Sequence, residues 1–160
     1  MSFDAYLKIA GADGESQDDA HKDWMQLESY SFGATNSGTA AVGTGMGHGK
    51  VAMGDFSFTP KGDTSTPILF LKTCAGDHIP EAILELQKTG GTKMVYLKVT
   101  FSDLVLSSCQ LSGHAGADVP NTGVSFNFSK IKMESTAQTS TGAKGKTVTA
   151  GWDVKEGKKL

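Results

Sequence analysis

The sequence predicts an all-β-dominated protein: a compact closed β-barrel of two packed sheets with one short flanking α-helix at about residues 67–75. Three observations carry this. The chain holds 20 Gly and is 38% hydrophobic, with Thr, Ser and Val abundant, a composition that leans to a loop-rich β fold. Apolar residues alternate with polar ones in roughly eight to ten short runs separated by turn signals. In three runs the apolar phase slips by one residue, which bent strands accomplish with a bulge and which closing a sheet requires. At 160 residues the chain has the length of one domain, so residues 1–160 are expected to form a single unit with an extended loop at 36–50.

The first strand is Phe3, Ala5, Leu7 and Ile9 alternating with Asp4, Tyr6 and Lys8, broken at Gly11–Gly14. Residues 15–23 are a polar connection. The next strand, about Trp24 to Ala34, carries Met25 and Leu27 on odd positions but Tyr30 and Phe32 on even ones, which places a bulge near Glu28 and Ser29. The same slip separates Val51/Met53 from Phe56/Phe58, and Phe126/Phe128 from Ile131/Met133. Ala82–Lys88 and Met94–Ser102 form a hairpin across Gly90 and Gly91, and Leu104–Leu111 prolongs the meander. A loop from Gly113 to Gly123, strands near Val124–Glu134 and Thr147–Lys155, and a loop at 138–146 complete the chain.

Between the strands, Thr66 is placed to cap a helix opening on Pro67, and Gly76 to close it in the left-handed conformation. Ile79-Pro80 then returns the backbone to an extended form. The helix is apolar all round at Ile68, Leu69, Phe70 and Leu71, so it needs cover on more than one side. A barrel wall covers one side only. A second protein surface is therefore expected at Ile68, Phe70 and Leu71.

The segment Thr66–Gly91 resembles the haemolysin-coregulated protein (Hcp) family of the bacterial type VI secretion system. The likeness extends to Phe3–Ile9 with Gly14-Glu15-Ser16, to Gly45–Val51, to Tyr96-Leu97-Lys98 leading to Asp103, and to Thr149–Asp153, and so covers almost the whole chain in family order. The resemblance implies a ring-forming subunit of the secreted inner tube, a homohexamer whose rings stack head to tail. It implies a spike protein at the tip, a contractile sheath outside and small effector proteins in the lumen. The chain opens directly on a strand pattern, so the expectation is cytoplasmic synthesis without a signal peptide, followed by export through that machine.

Several function classes are disfavoured by the residues themselves. Net charge is −2 and all 15 basic residues are Lys, so no nucleic-acid partner is expected. No run reaches the roughly 18 apolar residues of a spanning helix, so no membrane insertion is expected. Asn36–Lys50 looks like a phosphate loop, but Thr44 stands where the template needs Gly, and Val51 follows Lys50. His21, His48, His78 and His114 lie far apart with no ligand spacing; they read as solvated or capping residues, His78 beside the helix C-terminus. Cys74 and Cys109 read as buried reduced thiols. No nucleophile elbow is present, and Glu85 with Asp103 reads as wet-face carboxylates, so neither enzyme activity, metal nor cofactor is expected.

What remains is interaction chemistry. Ser29 and Ser31 put two small hydroxyls on one strand face, suited to a wall that binds loosely, and the resemblance implies that this face lines the lumen and touches cargo. The Gly-rich loop, with Val42, Gly43, Met46, His48 and Lys50, has the length of a segment that orders against another molecule; the resemblance makes it the ring-stacking contact. The rival reading is a monomeric secreted β-barrel binding a ligand or carbohydrate. That reading needs an aromatic platform, whereas Tyr6, Trp24, Tyr30, Tyr96 and Trp152 are scattered, mostly one per strand.

Overall fold

The computed structural model describes residues 3–38, 50–62, 64–90 and 92–160. Its strands are β1 (Phe3–Ile9), β2 (Met25–Ser31), β3 (Ala34–Asn36), β4 (Val51–Met53), β5 (Phe56–Pro60), β6 (Ile79–Lys88), β7 (Met94–Ser112), β8 (Asn121–Gln138), β9 (Lys144–Asp153) and β10 (Lys158–Lys159), with α1 (Thr66–Ala75) after β5. Antiparallel pairing runs β8-β5-β2-β1-β6-β7 and returns from β7 to β8, so six strands close a barrel. Strands β9 and β10 continue from β8 as an arm, and β3 with β4 forms a separate ribbon. The expected closed barrel with one short helix is what the described residues form.

Phenylalanines fill the barrel. Phe56, Phe101 and Phe126 are fully buried, their ring centroids 4.9 to 5.1 Å apart, and Leu7, Met25, Leu84 and Leu104 pack among them. Tyr30 and Phe32 turn inward to Phe56, at 6.3 and 5.6 Å. Offset and edge-on ring pairs of this kind add about 0.5–1.5 kcal/mol each beyond the area they bury.

The three phase slips have three different causes. Between Leu27 and Ser29 the β2–β5 register shifts, the bulge expected at Glu28. Between Met53 and Phe56 the chain leaves one sheet for another: β4 pairs with β3, β5 with β2, and Gly54 N–H donates to Gly33 O at 2.9 Å. In β8 no residue is gained against β7. Ser102 faces Lys130 and Leu104 faces Phe128 in one register, while the buried set moves from Phe126 and Phe128 to Ile131. Strand β7 slips at the same rung, from Val99 and Phe101 to Leu104 and Leu106. Asp103 makes the turn with φ 52, a left-handed conformation that Asp tolerates better than most residues, and Ser129 Oγ donates to its carbonyl at 3.2 Å. The shared corner joins the two runs expected at 94–102 and 104–111 into one 19-residue strand.

Other boundaries also moved. The strand expected to reach Ala34 stops at Ser31, and Ala34–Asn36 pairs with Val51–Met53 instead. Ser65 rather than Thr66 stands at the N-cap position of helix α1, its side chain making no capping hydrogen bond, and the helix closes on Gly76, whose N–H donates to Lys72 O with φ 67. Leu69 alone of its residues is fully buried against the barrel. Ile68, Phe70 and Leu71 are 40%, 54% and 65% exposed.

Candidate functional site

Ser29 and Ser31 lie on the outer face of the barrel, both exposed, with the inward Tyr30 between them. The register extends this face across four strands: Ser31 faces Ser57, Ser57 faces Ser125, and Ser125 faces Ser108. The row therefore places one serine on each of β2, β5, β8 and β7. Its hydroxyls are linked at one end. Ser108 Oγ is 2.6 Å and Ser107 Oγ 2.9 Å from Ser125 Oγ, and Ser107 Oγ donates to Asp55 Oδ2 at 2.6 Å. The β7 bulge at Ser107, where the register shifts between Leu106 and Ser108, brings both neighbouring hydroxyls to Ser125. With Thr59 and Gln110 the row lines an open concavity of about 480 Å³ whose lining includes no Asp, Glu, Lys or His.

The sequence alone singled out only Ser29 and Ser31. Ser57 and Ser125 each precede a buried Phe, a local sign of an outward position, but their alignment with Ser31 exists only once the strands are paired. The proposed interface residues Ile68, Phe70 and Leu71 are unburied apolar groups. Of the loop residues, Lys50 is exposed beside β4, while Val42, Gly43, Met46 and His48 lie outside the described residues.

His21 departs from its expectation as a solvated residue. It is fully buried, its ring stacked on Tyr6 at 4.2 Å and edge-on to Trp24 at 4.8 Å. Its Nδ1 lies 2.7 Å from Asp18 Oδ2 and its Nε2 3.6 Å from Glu85 Oε1. Lys93 Nζ donates to Asp18 Oδ1 at 2.9 Å, and Gln87 Nε2 reaches the same oxygen at 3.5 Å. The bond from His21 and then that from Lys93 hold the Asp18 carboxyl far below the usual carboxylate range. Burial, with Asp4 and Asp18 nearby, pushes the Tyr6 hydroxyl up to about 12. The polar connection 15–23 is thus a strap lying across β1 and β6, which is why Tyr6 is buried although strand alternation puts it outward.

The remaining candidates do not converge. His78 pairs with Asp103 at 3.1 Å on the surface, and Glu85 belongs to the His21 cluster, so the two carboxylates do not act together. His114 is exposed, its Nδ1 3.1 Å from Ala115 O. Both cysteines are free, but Cys74 is exposed rather than buried; burial pushes the half-buried Cys109 thiol up. No helix among the described residues is long and apolar enough to cross a membrane.

The model of the family described as "Type VI secretion system effector, Hcp" matches residues 6–134, which include the strap, the serine row and α1. Protein hcp1 of Pseudomonas aeruginosa is 35% identical over 158 residues, 98% of each chain. The crystal structure of Hcp1 from Salmonella typhimurium superposes with a TM-score of 0.81 at 34% identity over 100% of both chains. A structure described as a type six secretion system protein reaches 0.93 at 31% identity over 99% of this chain and 100% of its own. A family match spanning most of the barrel, and whole-length relatives above 30% identity, establish that this chain belongs to the Hcp family of the type VI secretion system.

Proposed function

We propose that the protein is the ring-forming subunit of the type VI inner tube, a homohexamer whose rings stack head to tail and carry small effector proteins in the lumen. The observation that carries this reading is the uncharged serine row on β2, β5, β8 and β7. A wall of small hydroxyls offers hydrogen bonds to many protein surfaces and neither attracts nor repels by charge, so it holds cargo weakly and releases it. Ser29 and Ser31 then touch cargo. Exposed Ile68, Phe70 and Leu71 supply an apolar seam between neighbouring subunits, since a heterologous contact that closes makes a ring. The loop bearing Val42, Gly43, Met46, His48 and Lys50 is the contact from ring to ring. The spike at the tip and the contractile sheath are the further partners, and the role is structural, with export through the same machine.

Size-exclusion chromatography with light scattering tests the ring, and a monomer at every concentration ends the proposal. Ser31→Gln tests the wall. Its side chain points away from the core, so rings are expected to persist while effector retention falls. Retention equal to that of the parent chain would remove Ser31 from the cargo surface.

A further inference from the structure

The serine row carries no charge, yet its hydrogen bonds are not symmetric. A hydroxyl holds one proton to donate and two lone pairs to accept with, whereas a carboxylate only accepts. Four groups meet at the β7–β8 end of the row in three short contacts: Ser107 Oγ to Asp55 Oδ2 at 2.6 Å, Ser107 Oγ to Ser125 Oγ at 2.9 Å, and Ser108 Oγ to Ser125 Oγ at 2.6 Å. Three protons serve three contacts, which fixes their directions. Ser107 donates to Asp55, because the carboxylate has no proton to give. With that proton committed, the second contact is filled only if Ser125 donates to Ser107, and the third only if Ser108 donates to Ser125. The alternative, Ser125 donating to Ser108, leaves two oxygens 2.9 Å apart with no proton between them. The chain therefore runs one way, from Ser108 through Ser125 and Ser107 to Asp55.

Two features hold it in that direction. Its last bond is charge-assisted and has the length usual for a hydroxyl on a carboxylate, which makes it about twice as strong as a neutral one, and each bond in such a chain polarises the next. The β7 bulge turns both Ser107 and Ser108 to Ser125, where regular alternation would send one of them inward. On the β2–β5 side of the concavity, by contrast, Ser29, Ser31 and Ser57 make no side-chain hydrogen bond with described residues, so their hydroxyls donate or accept as a partner requires. The concavity thus has one end whose hydroxyl protons are all committed and which offers only lone pairs. Just beyond that end stands the exposed Asp55, whose negative charge is neutralised by no ion pair among the described residues.

We propose that Asp55, acting through Ser107, sets the hydrogen-bond polarity of the row, so that its β7–β8 end takes up basic segments of an effector protein and turns carboxylates away. This rests on the cargo-wall reading above and deepens it. An ammonium or guanidinium group brings only donors and finds acceptors and a counter-charge there. A carboxylate finds no donor and must set its own oxygens against lone pairs, and an unpaired group of this kind is how a surface rejects the wrong partner.

The test is fluorescence anisotropy on the whole chain with two labelled peptides of equal length, one alternating Ser and Lys, the other Ser and Glu, at one fixed salt concentration. The parent chain is expected to bind the Lys peptide about tenfold more tightly. Ser107→Ala keeps the Asp55 charge but cuts the chain and frees the Ser125 proton, so the preference is expected to fall to about twofold. Ser107→Thr restores the hydroxyl and is expected to restore the preference. Ser107 is exposed, so neither substitution disturbs the core. Equal affinity of the parent for the two peptides, or a preference for the Glu peptide, overturns the proposal. So does a Ser107→Ala chain that keeps the full preference, since charge alone then accounts for it, and so does a Ser107→Thr chain that stays at the alanine level. Ser31→Gln locates the binding: it narrows the concavity away from the chain of hydroxyls and is expected to weaken the Lys peptide. If it does not, or if neither peptide binds the parent, the cargo-wall reading itself fails.

Discussion

Replacing His21 with Ala removes a fully buried ring that joins the strap to the barrel. Three losses follow. The Asp18 carboxylate loses a 2.7 Å charge-assisted bond, worth about 1.5–3 kcal/mol. The stack on Tyr6 and the edge contact with Trp24 are worth about 0.5–1.5 kcal/mol each. Strap relaxation offsets part of this, so a destabilisation of about 3–5 kcal/mol is expected. For a domain of this size that lowers Tm by about 6–20 °C. The assay is urea unfolding followed by tryptophan fluorescence, at one fixed protein concentration because self-association stabilises by mass action. Trp24 touches the removed ring, so the native emission is also expected to shift. His78→Ala is the control: its exposed pair with Asp103 is a surface contact worth about 0–1 kcal/mol. A loss below about 1 kcal/mol for His21→Ala, equal to the control, would show that the strap is not held by this ring and would refute the argument.

Other expectations concern the same elements. Tyr6 has a folded pKa raised to about 12, so its contribution, about 2–3 kcal/mol, is fully present below pH 10 and is lost as pH rises through 12. Absorbance titration of the tyrosinates tests it, Tyr6→Phe removing one late-titrating group; ionisation of all three tyrosines together near pH 10 would contradict it. Asp18 has the opposite sign: its pKa is depressed, so its contribution is present above about pH 4 and lost as pH falls below that, and the stability gap between the parent and Asp18→Asn should narrow in acid unfolding curves. Leu71→Lys places a charge on a residue already 65% exposed, so the isolated fold should keep its unfolding midpoint while rings fall to monomers. Gly76→Ala forces a Cβ into a φ of 67 at the helix end, and thermal unfolding should show a cost of about 1 kcal/mol.

Features set by neighbours in sequence were readable before the fold was known. Helix α1 was visible because Pro67 and Gly76 act on their own backbone, and the β2 bulge because a slip in period at Glu28 is itself local. Pairing was not. Nothing in Asn121–Gln138 says that one edge of the strand meets β5 at Val124–Phe126 and then β9 from Lys130, while β7 runs along the other. The serine row depends on that pairing, so only its two members on one strand could be seen. His21 was misread for a related reason. It sits in a run of Asp, Gln and Lys that reads as solvated, and its apolar surroundings come from Tyr6, fifteen residues earlier, once the strap folds back. Shared corners mislead as well, since β7 and β8 slip together at Asp103 and Ser129 without the bulge that a single strand suggests.

That shared corner has a mechanical consequence. Because β7 and β8 pass through it without losing register, the arm and the barrel wall belong to one ladder that bends at Asp103 and runs from Leu97–Ser135 to the bulge at Ser107 and on to Ser112–Asn121, about 50 Å along the strands at the usual rise per residue. No loop separates them. A push along the arm is carried in the strand direction and loads many hydrogen bonds in parallel, as shear, where a looped connection would yield first at its weakest bond. A load on the arm is therefore expected to reach the barrel through paired strands rather than through a connecting loop.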